Sequence, residues 1–194
     1  MISISFLLGN LQVGLDVIQA DISYLKAKKI GVISNQTSID SKGNSIVEIM
    51  LSHEIDLIRI FAPEHGYLGN YQAGETFDNS KDMLSDIEIV SLYGKNKSPE
   101  DRHLSDLDIL IFDIQDIGVR YYTYVSTMTL AMEKAAANNV EFIVLDRPNP
   151  LSGSVVQGSV LNSEFNSFVG MHPIPVRHGM TIGEIALFIK NNNL

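Results

Sequence analysis

The chain has no cysteine. Disulfides, thiolate metal sites and cysteine catalysis are therefore excluded. Positive charge is scarce: 14 Lys and Arg face 23 Asp and Glu, for a formal net charge of -9. No Lys/Arg cluster is present, which argues against nucleic acid as a partner. The acidity reads as a soluble surface. No apolar run is long enough to span a membrane. Residues 1–8 are mildly apolar but lack a positive n-region, and their apolar part is too short and mixed for a secretion signal. The expectation is a cytoplasmic protein. The glycosylation-like triplets at Asn35 and Asn96 then read as chance matches. Missing too are the Gly-x-Gly-x-x-Gly fingerprint and the Gly-x-x-x-x-Gly-Lys phosphate loop, so dinucleotide and nucleoside-triphosphate readings lose their main support. The absence of a Gly-x-Ser-x-Gly elbow weakens a serine hydrolase.

What is there is a chain of 194 residues, 45% hydrophobic and 19% charged. That suits one globular α/β domain able to bury a substantial core. Leu15, Ile18, Ile22 and Leu25 fall at helical spacing and predict a helix over 15–27. Strands are predicted at 29–34, 56–61, 87–92, 108–113 and 141–146, with helices at 44–53 and through Val125, Met128, Met132 and Ala135. The segment 62–86 reads as a long polar loop, and long loops are often functional. The segment 151–175 is mixed, with a hairpin expected around 155–161. Thr181 and Glu184 form a capping box for a last helix carrying Ile185, Phe188 and Ile189. Strands that are apolar on both faces, alternating with helices, predict a mostly parallel sheet with helices on both sides.

In such sheets ligands bind at the carboxyl ends of the strands. Polar groups crowd there in this sequence. After the run 109–112 come Asp113, Gln115, Asp116, Gly118, Arg120, Tyr121, Tyr122 and Tyr124 within twelve positions. Asp113, closest to the strand interior, reads as structural, and Asp116 reads as the cleft carboxylate. After the second strand, Pro63 stiffens the exit and Gly66 permits a tight turn, which presents Glu64 and His65. Glu64 is a candidate general acid or a loop-stabilising carboxylate. Arg120, Arg147 and Arg177 are three of five arginines, and all lie in polar junctions. That points to a substrate carboxylate or phosphate, although Arg120 has Asp116 as an alternative partner. Tyr93, Tyr121 and Tyr122 are candidate stacking platforms for a sugar ring, while Tyr124 is expected to face the helix packing. His178 reads as a proton carrier, a donor to substrate, or a satisfied loop histidine. A metal-dependent phosphoesterase is a competing reading, with Glu64, His65, Asp113, Asp116 and His178 as ligands.

Six motifs occur in one order: Asn35-Gln36-Thr37, Ala62-Pro63-Glu64-His65-Gly66, Ser91-Leu92-Tyr93-Gly94, the run from Asp113 to Thr123, Leu145-Asp146-Arg147-Pro148-Asn149-Pro150, and Pro175-x-Arg177-His178-Gly179-Met180-Thr181. The set resembles the NamZ-type exo-β-N-acetylmuramidases, bacterial glycoside hydrolases of peptidoglycan recycling. The likeness runs from about Gly14 to the C-terminus. It implies a Rossmann-like domain over 14–194 behind an extension at 1–13, with the family's second domain absent from this chain. It implies release of N-acetylmuramic acid from non-reducing ends, with Glu64 as the general acid and no cofactor. Asp116 or the substrate's own N-acetyl group would fill the second catalytic role. Arg120, Arg147 and Arg177 would hold the lactyl carboxylate. Asn35, His65, Tyr93, Gln115, Tyr122, Asn149 and His178 would contact the rest of the sugar. Members are often exported. An uncovered cleft wall implies self-association or a separately encoded second domain as partner. A non-catalytic sugar-binding remnant is the alternative.

Overall fold

The computed structural model describes residues 12–82 and 85–192. Residues 1–8, on which the expectation of compartment rests, lie outside them. The order of elements is α1 (Gly14–Ala20), a short 3-10 turn (Ile22–Leu25), β1 (Lys29–Ser34), α2 (Ile46–Ser52), β2 (Asp56–Ala62) and β3 (Ser80–Lys81). There follow β4 (Glu88–Ser91), α3 (Asp101–Leu104), β5 (Ile109–Asp113), α4 (Tyr124–Ala137), β6 (Glu141–Val144), a second 3-10 turn (Ser163–Phe165) and α5 (Ile182–Asn192). The six strands lie in the order β3-β4-β2-β1-β5-β6. All neighbours are parallel except β3, which runs antiparallel to β4.

The alternation of apolar side chains along the buried strands builds two core layers, one on each face of the sheet. Ile33, Phe61, Leu110 and Phe112 pack with Met128, Ala131 and Ile185 from α4 and α5. Val32, Ile60, Ile109 and Ile111 pack on the other face with Leu15 of α1 and Met50 of α2. Two capping boxes close, the one predicted at Thr181 and Glu184 and another, at Ser45 and Glu48, that the structure adds. The Ser45 hydroxyl accepts from the Glu48 amide, and the Glu48 carboxylate accepts from the Ser45 amide at 2.8 Å. Thr181 and Glu184 make the same exchange ahead of α5. Gly14 is needed where it stands, because a Cβ there would meet the backbone of Asp146 at 2.4 Å. Among the described residues no helix is long and apolar enough to cross a membrane.

Three local expectations change. The helix over 15–27 is interrupted at Asp21, whose φ of -131° and ψ of 48° break the α-helix. The loop 62–86 holds the short edge strand β3. The segment expected as a hairpin at 155–161 pairs instead with 174–177, through a Gln157–Arg177 bridge and a Leu161 amide donating to Ile174. A distant partner took the place of a local one.

Candidate active site

The chain runs from β1 outward to β2 and β4, then returns to β5 and β6 on the other side. The direction reverses between β1 and β5, where ligands bind in open α/β sheets. Ser34 and Asp113 are paired across that boundary, so Asn35 and Ile114 leave the sheet side by side. Glu64 leaves from β2 on the adjoining edge.

A turn closed by the Gly66 amide donating to the Pro63 carbonyl at 2.9 Å sets Glu64 at its crest. The third residue of that turn, His65, takes a φ of 73°, in the left-handed region. Such a conformation costs an ordinary side chain about 1–2 kcal/mol. His65 is held there by its Nδ1, 3.0 Å from the Tyr71 carbonyl. A carbonyl only accepts, so the proton sits on Nδ1. Glu64 is half-buried and its carboxylate receives two donors. Thr123 Oγ1 donates to Oε2 at 2.7 Å and the Gly74 amide donates to Oε1 at 3.1 Å, and the Tyr93 hydroxyl lies close enough to interact with the carboxylate. Burial pushes the Glu64 carboxyl upward, but these donors outweigh it and hold it below its ordinary range. Tyr93 moves the other way, raised by burial and by the neighbouring Glu64 carboxylate. Nothing in the sequence assigns Thr123 or Gly74 a role. The hydroxyl three residues after Arg120 was the only hint, since Gly74 reaches Glu64 by its backbone.

The β5 loop splits its two aspartates between different tasks. Asp113 is 0% exposed and forms a bidentate pair with Arg147, at 2.6 Å from Nε and 3.0 Å from Nη2. Nη2 also donates to the Ile39 carbonyl at 3.0 Å. Burial pushes the Asp113 carboxyl up, opposed by the guanidinium. Arg147 therefore ties β5, the β6 loop and the β1 loop together, and its expected place on a substrate carboxylate is taken. Asp116 is 5% exposed and His178 is 3% exposed. Asp116 Oδ2 accepts from the Gly118 amide at 2.7 Å and lies 3.5 Å from His178 Nε2. His178 Nδ1 accepts from the Met180 amide, so its proton belongs on Nε2, facing Asp116. Asp116 Oδ1 is buried without a partner. Gly118 cannot be replaced lightly: its φ is 84°, and a Cβ would fall 2.3 Å from Asn149 Oδ1.

Most of the other expected sugar contacts turn out to brace loops. Arg120 meets neither Asp116 nor open cleft; its Nη1 donates to the carbonyls of Ser159 and Ile174, at 2.7 and 2.6 Å. Arg177 donates to the Leu151 carbonyl and to Gln157, while its Nε is buried without a partner. Gln115 Nε2 donates to the carbonyls of Asp116 and Pro148. Asn149 bridges the Met180 carbonyl and the Leu151 amide. Asn35 closes an Asx-type turn on Thr37 and leaves its Nδ2 unpartnered. Tyr122 stacks edge-on against Tyr124, at 4.6 Å between centroids. For Arg120, Arg177, Gln115 and Asn149 the physical reason is shared: loop carbonyls near the sheet need donors, and the long polar side chains of neighbouring loops supply them. Tyr93, His65 and Glu64 remain on the open side. Among the described residues no three His, Asp or Glu side chains gather where one metal ion could be shared, so the five ligands of the phosphoesterase reading do not form one centre.

Comparison with known proteins adds a consistent picture. The family described as exo-β-N-acetylmuramidase NamZ, N-terminal, matches residues 30–194. Peptidoglycan β-N-acetylmuramidase NamZ of Bacillus subtilis (strain 168) is 46% identical over 184 residues, which is 93% of this chain and 44% of that protein. Two crystal structures of DUF1343 family proteins from Bacteroides fragilis NCTC 9343 share the fold. One has a TM-score of 0.86 at 38% identity, covering 94% of this chain and 46% of its own. The other has a TM-score of 0.81 at 35% identity, covering 93% and 47%. The chain thus spans less than half the length of each of these relatives.

Proposed function

We propose that this chain, which belongs to the family of NamZ exo-β-N-acetylmuramidase N-terminal domains, carries the acid group of a glycosidase that releases N-acetylmuramic acid from the non-reducing ends of peptidoglycan fragments. The observation that carries the reading is Glu64: a carboxyl on a strained turn at the ligand edge of a parallel sheet, open on one side and oriented by Thr123, Gly74 and Tyr93. In the reaction the Glu64 proton passes to the glycosidic oxygen as the bond to the anomeric carbon breaks. A second group must stabilise that carbon. Asp113 is held by Arg147, and Asp116 is buried. The acetamido oxygen of the substrate therefore takes the role of internal nucleophile, an established alternative to a second carboxylate. Water then opens the intermediate, giving its proton to the Glu64 carboxylate.

The test is hydrolysis of a chromogenic β-N-acetylmuramide beside its β-N-acetylglucosaminide counterpart. Glu64→Gln is expected to lose about 10²–10⁴-fold in turnover of the muramide, the usual worth of a general acid. Retention of most of the turnover overturns the assignment. Saturable binding of N-acetylmuramic acid by the unaltered chain with no turnover would instead favour the binding remnant, with the catalytic cleft completed by a second domain or a second copy.

A further inference from the structure

Beside Glu64 lies a cavity of about 690 Å³ that none of the expected site residues fills except Tyr93 at its edge. The volume falls within the roughly 300–1,000 Å³ of small-molecule sites. Val90 and Ser91 put its floor at the carboxyl end of β4, on the same edge of the sheet as Glu64. Tyr93 belongs to both places, lining the cavity and standing beside the Glu64 carboxylate. Whatever occupies the cavity is therefore one side chain away from the candidate acid.

The walls specify the chemistry of that occupant. Lys95 and Arg102 stand against Asp78 and Glu100, so the lining carries no net charge. Arg102 is already paired with Glu100, at 2.8 Å. This is no site for a carboxylate or a phosphate. Two amides are each half spent. Asn79 gives its carbonyl oxygen to the Ser91 amide at 2.9 Å and keeps its NH2. Asn96 gives its NH2 to Glu100 at 2.6 Å and keeps its carbonyl. One free amide donor and one free amide acceptor match the C=O and N–H of an acetamido group. Phe77 and Tyr93 add aromatic surface of the kind on which a pyranose face rests.

We infer that this cavity receives the sugar on the leaving side of the scissile bond, an uncharged N-acetylated pyranose. The inference rests on the glycosidase reading of Glu64 and adds a location and a residue set for the second sugar. A peptidoglycan fragment places a sugar ring on each side of the bond to be split, and a neutral pocket beside the acid discriminates against a ring that carries a lactyl carboxylate. The site thus helps to set the direction in which a two-sugar fragment lies.

The experiment titrates methyl β-N-acetylglucosaminide into the full chain and follows amide signals by ¹H–¹⁵N NMR. Saturable shifts are expected at the side-chain amides of Asn79 and Asn96 and at the amide of Ser98, another wall residue. Millimolar affinity, about 1 mM in order, is expected for so small a ligand. Ser98→Trp fills the cavity from its rim and should weaken binding about tenfold or more, as should replacing the acetamido group by a hydroxyl in methyl β-glucoside. Absence of saturable shifts, shifts confined elsewhere, or equal binding by Ser98→Trp overturns the inference. The muramide assay separates the two ideas. Hydrolysis that depends on Glu64, without glucosaminide binding, sinks this site alone. Glucosaminide binding in the cavity, with Glu64→Gln fully active, sinks the acid assignment and leaves the site.

Discussion

Replacing Arg147 by Met tests whether this arginine serves the substrate or the fold. Its partner Asp113 is 0% exposed and accepts both guanidinium bonds, so the substitution leaves a carboxylate buried without compensation. Breaking a buried pair from one side typically costs about 3–5 kcal/mol. The Ile39 carbonyl loses its donor as well. For a chain of this size each kcal/mol lowers Tm by about 2–4 °C, so a fall of roughly 6–20 °C is expected. Arg147→Lys keeps the charge but not the planar fork, and should fall between the two. Asp113→Val combined with Arg147→Met removes both charges and should recover most of the loss, because pairs of this kind are worth little against an apolar replacement. The pH dependence has a definite sign. In Arg147→Met the native state holds the Asp113 proton more tightly than the unfolded chain does, since burial acts unopposed. The penalty is therefore present at neutral pH and shrinks as pH falls toward the ordinary carboxyl value of 3.8. Urea titrations followed by far-UV circular dichroism read all of this. If Arg147→Met unfolds within about 0.5 kcal/mol of the unaltered chain at neutral pH, the pair carries no structural weight and the reasoning fails.

Three further outcomes are expected. Asp40 is held down to about 2, against its own burial, by Asn44, Lys42 and Gln19; its stabilisation is fully present above about pH 4 and lost as pH falls through about 2, and Asp40→Asn should flatten that acid slope in urea titrations. Thr123→Val removes the shortest bond to the Glu64 carboxylate, so ¹³C NMR should show this carboxyl titrating at higher pH; an unmoved titration removes Thr123 from the site. Phe165 is 71% exposed and lies in a stretch with exposed Val156, Val160 and Val169. Size exclusion should therefore show concentration-dependent self-association that Phe165→Ser reduces, and a strictly monomeric unaltered chain would count against it.

The fold was legible where burial leaves a simple trace. β1, β2, β5 and β6 begin within one residue of the sequence-based bounds, because each carries a short apolar run, broken in β2 only by Arg59, that the sheet packs against its helices. β3 left no trace: Ser80 and Lys81 form two exposed residues at an edge, where no apolar pattern is required. The four-residue α3 is too short to show a period. At the site, residue types pointed to the right strand ends, but partners did not follow from them. Arg147 finds Asp113 and Arg120 finds Ile174 only after the sheet brings distant loops together. Gly74 acts through its amide, which every residue but proline owns, so no side chain could announce it.

The remaining tension lies in Glu64 itself. A general acid must hold its proton when the bond breaks, yet the open site favours the carboxylate. The largest single influence on this carboxyl is burial, which already acts upward. A sugar seated over it excludes more water and strengthens that push. The glycosidic oxygen also has to approach one carboxyl oxygen. Oε1 is the one held by the longer bond, 3.1 Å from the Gly74 amide, while Oε2 keeps Thr123 at 2.7 Å. Exchanging the amide for the glycosidic oxygen replaces a donor, which favours the anion, with an acceptor, which favours the acid. In the proposed reaction, covering the site would therefore turn the carboxylate into the acid that bond cleavage needs. Activity that depends on a protonated Glu64 falls as pH rises through its pKa. The limb in kcat/KM reports the free site and the limb in kcat reports the covered one, so the kcat limb should lie at higher pH. If the two limbs coincide, covering does not retune Glu64, and the acid must be sought elsewhere.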